Sequence, residues 1–380
     1  MARLGDIASV ITKGTTPTSV GFDFADDGIN FIKIESISET GEFISEKFAH
    51  IDSACHEKLK RSQLAENDIL FSIAGAIGRT AIVNKNILPA NTNQALAIIR
   101  IPSGIVDYSF LVYVLQSPAL LEQFESQKQG VAQLNLSLKN IGDLVIPDFS
   151  LEKQRSIAAV LDKVSNLIAL RKQQLNKLDE LVESRFAELF VGAGNEEALA
   201  NLCTFIDYRG KTPEKTDSGL PFITAKNVKM HYMSFDTQEF ISKETYDKVM
   251  TRGFPRVGDV VFTTEAPLGN VCRIPHIATE FYIGQRIITM QTGCLEPAYL
   301  EYALASDEFK RKIAEKSSGS TVTGIRSKLL EQLTIPIPSI KLQKQFAAFV
   351  EQTDKSRLTI QQGLDKLEMM KKALMQQYFG

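Results

Sequence analysis

The sequence predicts a mixed α/β protein made of two tandem copies of one unit, each copy a globular head followed by a long helix. Three observations carry this reading: a long self-match at nearly constant offset, short β-prone runs broken by turn residues, and two heptad stripes about forty residues long. The self-match sets "LSLKNIGDLVIPDFSLEKQRSIAAVLDKVSNLI" at 136–168 against "IRSKLLEQLTIPIPSIKLQKQFAAFVEQTDKSR" at 325–357. Towards the N-terminus Leu4, Ile7, Gly14, Thr16 and Pro17 answer Leu199, Leu202, Gly210, Thr212 and Pro213. "GINFIKIESI" at 28–37 answers "GLPFITAKNV" at 219–228, and "NDILFSIAGAIGRTAIV" at 67–83 answers "GDVVFTTEAPLGNVCRI" at 258–274. Apolar positions, turn glycines and the pair Asp68 and Asp259 are kept, while the polar positions between them have diverged. The copies share a scaffold and differ at the surface.

In chain order, "INFIKI", "DILFSI", "TAIVN" and "ALAIIRI" are strands of ordinary length, and "YSFLVYVLQSPALLEQFES" is a helix by its apolar spacing. Strand ends at Pro147 and Pro336 precede Ser150 and Ser339, which are N-caps for the long helices. In the first helix Leu161, Ile168, Leu175, Val182 and Leu189 recur every seven residues, with Val160, Val164, Leu167, Leu178 and Leu181 beside them. In the second the stripe is Val350, Thr353, Ile360, Leu364, Leu367, Leu374 and Tyr378. Forty helical residues span about 60 Å, too long for one small head to cover, so each stripe is expected to pair with the other in an antiparallel coiled-coil spacer with pseudo-twofold symmetry, the alternative being to pair with helices of another protein. That pairing brings residues 161 and 378 close together. Arg171, Lys172, Arg357, Lys371 and Lys372 are read as solvated or docking positions. The expected domains are a head at 1–148, a spacer helix at 149–194, a second head at 195–337 and a second spacer helix at 338–380, with "VGAGNEE" at 191–197 as the break.

A chain of 380 residues, 44% apolar and 23% charged, is long enough for two domains with cores. No apolar run reaches the roughly 18 to 20 residues of a membrane span and no signal-peptide core precedes the first strand, so a cytoplasmic protein without membrane contact is expected. Cys55, Cys203, Cys272 and Cys294 lack the spacing of a disulfide framework or zinc site and are read as ordinary thiols. His50, His56, His231 and His276 show no ligand spacing and are read as incidental, so no metal is expected.

Motifs for chemistry are missing. There is no GxxxxGK[ST], no GxGxxG after a strand, no HExxH, no GxSxG, and no NPPY-like or DPPY-like tetrapeptide to hold a target amino group. Pro147-Asp148 followed by Glu152-Lys153 has an outline of a nuclease metal site, but the second copy has Pro336-Ile337 there, and a loop before a helix explains both. No catalytic residue is assigned.

The stretches "IPDFSLEKQRSIAAVLDKV" and "IPIPSIKLQKQFAAFVEQTDK" resemble the "IPxPxxxEQ" segment and following helix of type I restriction-modification specificity subunits. "GVAQLNLSLKNIGDLVIP" and "GSTVTGIRSKLLEQLTIP" resemble the segment that enters that helix, and "KGTTP" at Lys13–Pro17 and "RGKTP" at Arg209–Pro213 resemble the family's opening loop. The resemblance covers the whole chain. It departs at the family's Glu-Gln, which is Lys153-Gln154 and Leu342-Gln343 here, with Glu152 one place earlier in the first copy alone.

The resemblance implies a non-catalytic DNA-reading subunit, in which each head reads one half of a bipartite, asymmetric site on double-stranded DNA and the helices set the gap. It implies two modification (methyltransferase) subunits using S-adenosylmethionine, and restriction subunits with ATP- and Mg-dependent translocase and nuclease activity. No cofactor is expected in this chain.

Charge constrains that reading, because counterion release by Lys and Arg supplies much of DNA affinity. Residues 1–148 carry 12 basic and 17 acidic side chains, and residues 196–337 carry 17 and 18. Cations must be focused on one face, or partners must supply backbone contacts. Base reading needs forked donors and acceptors on loops. In the first head the candidates are Lys13, Thr15, Thr16, Lys33, Ser36, Arg79, Asn91, Asn93, Gln94, Gln127, Lys128, Gln133 and Asn135. In the second they are Arg209, Lys211, Thr212, Lys226, Asn227, Asn270, Gln285, Arg286, Ser318, Ser320, Thr321, Thr323, Arg326 and Lys328. Two other readings stand beside this one: a coiled-coil scaffold that reads no DNA, which fits the acidic heads, and a single-chain restriction-modification enzyme, which the missing motifs disfavour.

Overall fold

In the computed structural model the structure describes residues 2–120, 122, 136–190, 192, 194–208, 212–277, 279–316 and 324–380. The chain divides into two compact units, Met1–Lys172 with Gln362–Gly380, and Gln173–Gln361. The division falls inside both long helices, so each unit holds one head and a portion of each helix.

In the first unit, strands Val10–Lys13, Leu96–Arg100, Ile69–Ser72 and Thr80–Ile82 lie in that order in an antiparallel sheet. Strands Ala49–Ile51, Ile29–Ile32 and Ala90–Thr92 form a second sheet whose last pair is parallel. Alternation sorts the apolar side chains. Ile69, Phe71, Ala97 and Ile99 enter the core of helix Tyr108–Leu115, while Leu70, Leu96 and Ile98 enter another with Ala81, Val83 and Ile87. Burial on both faces explains why "DILFSI" reads as an almost unbroken apolar run.

The second unit repeats both strand orders: Thr204–Asp207, Ile287–Gln291, Val260–Thr263, Val271–Arg273, and then Phe240–Ile241, Leu220–Ile223, Tyr282–Ile283. The second head has a hairpin, Val228–Lys229 with Tyr232–Met233, where the first head makes a shorter return through the single bridge of Ile37 with Phe43. Each head also closes on itself. Ala2–Arg3 pairs with Val145–Ile146, and Asn195–Ala198 with Thr334–Ile337, so the segment entering a head is tied to the segment leaving it.

Several expectations change. The helix expected over 108–126 is interrupted after Leu115: the ladder breaks at Gln116–Ser117 and helix begins again at Pro118, whose missing N–H is harmless in a first turn. In the second copy the counterpart breaks at Ser306 into Pro297–Ala305 and Asp307–Lys316. "INFIKI" is strand only to Ile32 and then turns over Ile34–Ser36. Two short helices not legible in the pattern, Ser53–Lys58 and Lys243–Val249, are N-capped by Asp52 and Ser242.

The long helices run Leu151–Phe190 and Ile340–Phe379. Ser150 Oγ accepts from Lys153 N at 3.3 Å, whereas Ser339 receives Gln343 N through its carbonyl. Leu161, Val164 and Val182 are buried, and Ile168, Leu175, Leu178 and Leu189 are half-buried. On the second helix Val350 and Leu364 are buried, and Ile360, Leu367, Leu374 and Tyr378 are half-buried. Val160, Leu167 and Leu181 are exposed instead, since each stands one residue before a seam position and so about 100° around the helix.

The pairing is antiparallel in each unit. In the first, Leu161 shares a core with Met375 and Phe379, Tyr378 packs against it, and Lys172 pairs with Glu368 at 2.9 Å. In the second, Phe186 and Phe190 lie 5.4 Å from Phe346, and Arg357 pairs with Asp179. Arg171, Arg357 and Lys371, read as exposed, stand half-buried at seam positions. Burial and the neighbouring Lys172 hold the Lys371 ammonium below the ordinary lysine range, with Nζ 5.7 Å from the Tyr113 ring. A Cβ on Gly363, mid-helix, would stand 3.9 Å from Arg171 Nε.

Candidate nucleic-acid interface

The opening loop of the first head is fixed by one close approach. A Cβ on Gly14 would lie 2.0 Å from the Thr92 carbonyl oxygen, so the 13–16 and 91–94 segments touch only because residue 14 has no side chain. Thr15 N donates to Thr92 O at 3.1 Å, Gly14 N to Leu96 O at 3.3 Å, and Thr16 Oγ1 to Gln94 Oε1. Asn93 Oδ1 accepts from Ala95 N at 3.1 Å. Lys13, Thr15, Thr16, Asn93 and Gln94 are thus brought together at one loop pair, with Lys13 and Gln94 exposed.

Other candidates are taken up inside the head. Asn91 is fully buried: its Nδ2 donates to Leu59 O at 3.1 Å and to Ser62 Oγ, and its Oδ1 meets His56 Nδ1 at 2.5 Å, which gives His56 a structural role rather than an incidental one. Ser36, also fully buried, accepts from Lys33 N at 3.1 Å and donates to Lys47 O at 3.0 Å. Arg79 Nη1 donates to Ile34 O and Ile37 O, and Lys33 Nζ lies 4.4 Å over the Phe24 ring. A buried amide with every partner matched is a scaffold bond, not a base reader.

The second head divides the same way. Asn227, 3% exposed, donates to Ser234 O and Thr237 O and accepts from Thr224 N. Asn270 Nδ2 donates to Val228 O at 2.9 Å, holding the counterpart of the segment that Arg79 holds. Towards solvent stand Thr212, Lys226, Arg286, Arg326 and Lys328, with Gln285 half-buried. Arg286 Nε pairs with Glu265 Oε1 at 2.9 Å, and Glu265 bridges Gly324, which gathers Gln285, Arg286 and Arg326 beside one strand end. Gln127, Lys128, Gln133, Asn135, Arg209, Lys211, Ser318, Ser320, Thr321 and Thr323 lie outside the described residues.

Gln154 and Gln343, met in the sequence as part of the Lys153-Gln154 and Leu342-Gln343 pairs, were given no role there and hold the joints between head and helix. Gln154, 6% exposed, accepts from Asp107 N at 2.9 Å through Oε1 and donates to Phe149 O at 2.8 Å; Gln343, 1% exposed, accepts from Glu296 N at 3.0 Å and donates to Pro338 O at 2.9 Å. Each fixes the start of a head helix to the start of a long helix. The signal was present: this glutamine recurs at the same place in both copies while the residue before it differs. His231, read as incidental, is stacked on Tyr302 at 4.1 Å, and its Nδ1 lies 2.9 Å from Glu301 Oε1.

Comparison with known proteins places this geometry. The family model for the type I restriction modification DNA specificity domain matches residues 1–180 and again 198–369. The type I restriction enzyme EcoBI specificity subunit of Escherichia coli is 31% identical over 172 residues, 44% of this chain and 35% of that protein. The MjaVIII specificity subunit of Methanocaldococcus jannaschii is 23% identical across 99% of this chain and 90% of its own length. In fold, the chain is similar to the type I restriction-modification S subunit of M. genitalium, with a TM-score of 0.60 at 15% identity over 100% of this chain and 95% of that one. A structure described by the assembly and conformational transition of the type I system gives 0.56 at 19%, over 100% and 96%. The chain belongs to the family of type I restriction-modification DNA specificity subunits, and it carries two of the family's recognition domains in tandem.

Proposed function

We propose that this chain reads a bipartite, asymmetric sequence on double-stranded DNA, the domain at 1–148 taking one half and the domain at 195–337 the other. The observation that carries this is the contrast within the duplication. Both heads have the same two sheets in the same strand order and keep Thr16 with Thr212 and Gln94 with Gln285, yet the groups around these differ: Glu35, Asn93 and Ala95 in one head stand where Lys226, Gly284 and Arg286 stand in the other. A common frame with interchanged reading groups suits two different half-sites.

The helices 149–194 and 338–380 act as spacers that set the gap and dock two modification subunits. Methyl transfer with S-adenosylmethionine, and any ATP- and Mg-dependent translocation and cleavage by restriction subunits, belong to those partners. This chain's own part is non-catalytic: it binds and orients, and its sequence has no motif for either reaction. No helix among the described residues is long and apolar enough to cross a membrane.

The test is single-molecule sequencing for methylated adenine in DNA from cells expressing the modification subunit with and without this chain. A two-part methylated motif that needs the chain is expected, and exchanging 1–148 for the head of another specificity subunit should change one half of it. An assembled complex that adds no methylation would overturn the DNA-reading function in favour of a scaffold.

A further inference from the structure

Neither head is basic overall, so a grip on a polyanion must come from cations gathered at one place. In the first head that place follows the short helix Ser53–Lys58. Lys58, Lys60 and Arg61 are all exposed, and none makes an ion pair with a described residue. The backbone carrying them is pinned: buried Asn91 donates to Leu59 O and Ser62 Oγ, and Gln63 Nε2 donates to His56 O at 2.9 Å. The turn Lys60–Ser62 packs against strand Val10–Lys13, which adds exposed Lys13 to the patch and sets it beside the opening loop.

The second head repeats the device after Lys243–Val249. Arg252 stands where the repeat puts Arg61, a surface cation retained although the surrounding surface has diverged. Its backbone N donates to Tyr208 Oη at 3.0 Å and its guanidinium to Asp207 O at 2.7 Å, while Tyr208 Oη donates to Gly253 O at 2.6 Å. Gln291 Nε2 donates to Phe254 O at 3.1 Å, and Arg256 N to Asp259 Oδ2 at 2.7 Å. The loop is held at both ends with Arg252, Phe254 and Arg256 exposed along it, against the strand that leads to this head's opening loop.

We propose that this turn is the phosphate clamp of each recognition head: Lys58, Lys60 and Arg61 grip the DNA backbone at the first half-site, and Arg252 and Arg256 grip it at the second. The assignment rests on the DNA-reading function proposed above. Fixed backbone and exposed cations suit phosphate contact, which supplies affinity and register, while the adjoining Thr16, Asn93 and Gln94 carry the donors and acceptors that suit base edges. Phe254 gives the second clamp an apolar tip where the first has Gln63.

The test uses the full chain assembled with its modification subunit, on a duplex bearing the motif that the wild-type complex methylates. Binding is measured from about 50 to about 300 mM salt for wild type, K58Q/K60Q/R61Q, R252Q/R256Q and, as a charge control on the first head, K139Q. The slope of log K against log salt should fall by roughly 2 to 3 in the triple variant and roughly 1 to 2 in the double, at about 0.9 per lost phosphate contact. Affinity near 0.15 M salt should drop about tenfold or more, with the methylated motif unchanged. An unchanged slope, or an equal loss per charge in K139Q, overturns the clamp. So does an altered motif, which makes the turn a base reader, or lost assembly at unchanged slope, which makes it a protein contact. If the triple variant fails to assemble, K60Q alone decides, with an expected slope change of about 1. A wild-type complex that assembles and binds no DNA sinks the DNA-reading function itself.

Discussion

Where the first head meets its long helix, Tyr113 Oη donates to Asp162 Oδ1 at 2.7 Å and lies 3.2 Å from Ser165 Oγ, with Ile82 and Val112 as apolar neighbours in the sequence pattern. At the matching joint of the second head, Tyr302 holds the place of Tyr113, but Arg273, Glu301 and Asp354 replace Ile82, Val112 and Ser165. Glu301, 1% exposed, receives Arg273 Nε at 2.5 Å and lies 2.9 Å from His231 Nδ1, and Arg273 Nη2 reaches Asp354 on the second long helix at 3.0 Å. Gln154 and Gln343 are constant across the two. A joint between head and helix can therefore rest on a hydroxyl held by one carboxylate or on a buried ion-pair network, provided every buried polar group finds a partner, while the backbone register depends on the shared glutamine.

The comparison breaks most visibly at the ionic joint. Arg273→Ala leaves Glu301 buried beside only His231 and should cost about 3 to 5 kcal/mol in chemical denaturation, with the loss confined to the unit holding the second head. Rewriting the joint as the first head has it, R273I/E301V/D354S, should be neutral to within about 1 kcal/mol or stabilising, because no charge is then stranded. A triple variant as damaged as the single one would show that the two joints are not equivalent solutions.

The shared part is tested next. Gln154→Leu and Gln343→Leu each strand a backbone N–H and a carbonyl, and about 1 to 3 kcal/mol should be lost in either head. A large loss in one and none in the other would refute the common register. Smallest is Tyr113→Phe, which removes one hydroxyl from Asp162, a carboxylate that keeps access to solvent, and should cost roughly 0.5 to 1.5 kcal/mol by the same measurement.

How far the sequence was legible follows the physics of each feature. Strand runs and the seam at Leu161, Val182, Val350 and Leu364 were readable because burial imposes periods of 2 and about 3.5 that need no knowledge of the partner. The exposure of Val160 and Leu167 was not, since an apolar residue next to a seam position looks the same in a pattern whether it faces the other helix or water. The short helix Ser53–Lys58 escaped because six residues carry too little periodicity, and with it went Lys58, Lys60 and Arg61 as neighbours of the opening loop.

Among the polar candidates, chain position could not sort Asn91 from Asn93. Two residues apart on one strand end, they meet opposite fates: one is buried against Leu59 and Ser62, the other stays at the loop beside Gln94. The sequence by itself determined the duplication, the β-rich heads, the two forty-residue helices and the family, because each rests on local pattern or on similarity along the chain. Only the tertiary structure decided which amides are spent on the scaffold, that a repeated glutamine joins head to helix, and that one joint is a buried ion-pair network and the other a hydroxyl held by a single carboxylate. Those outcomes depend on which distant atoms, such as Asp107 N and Gln154 Oε1, come within hydrogen-bonding distance.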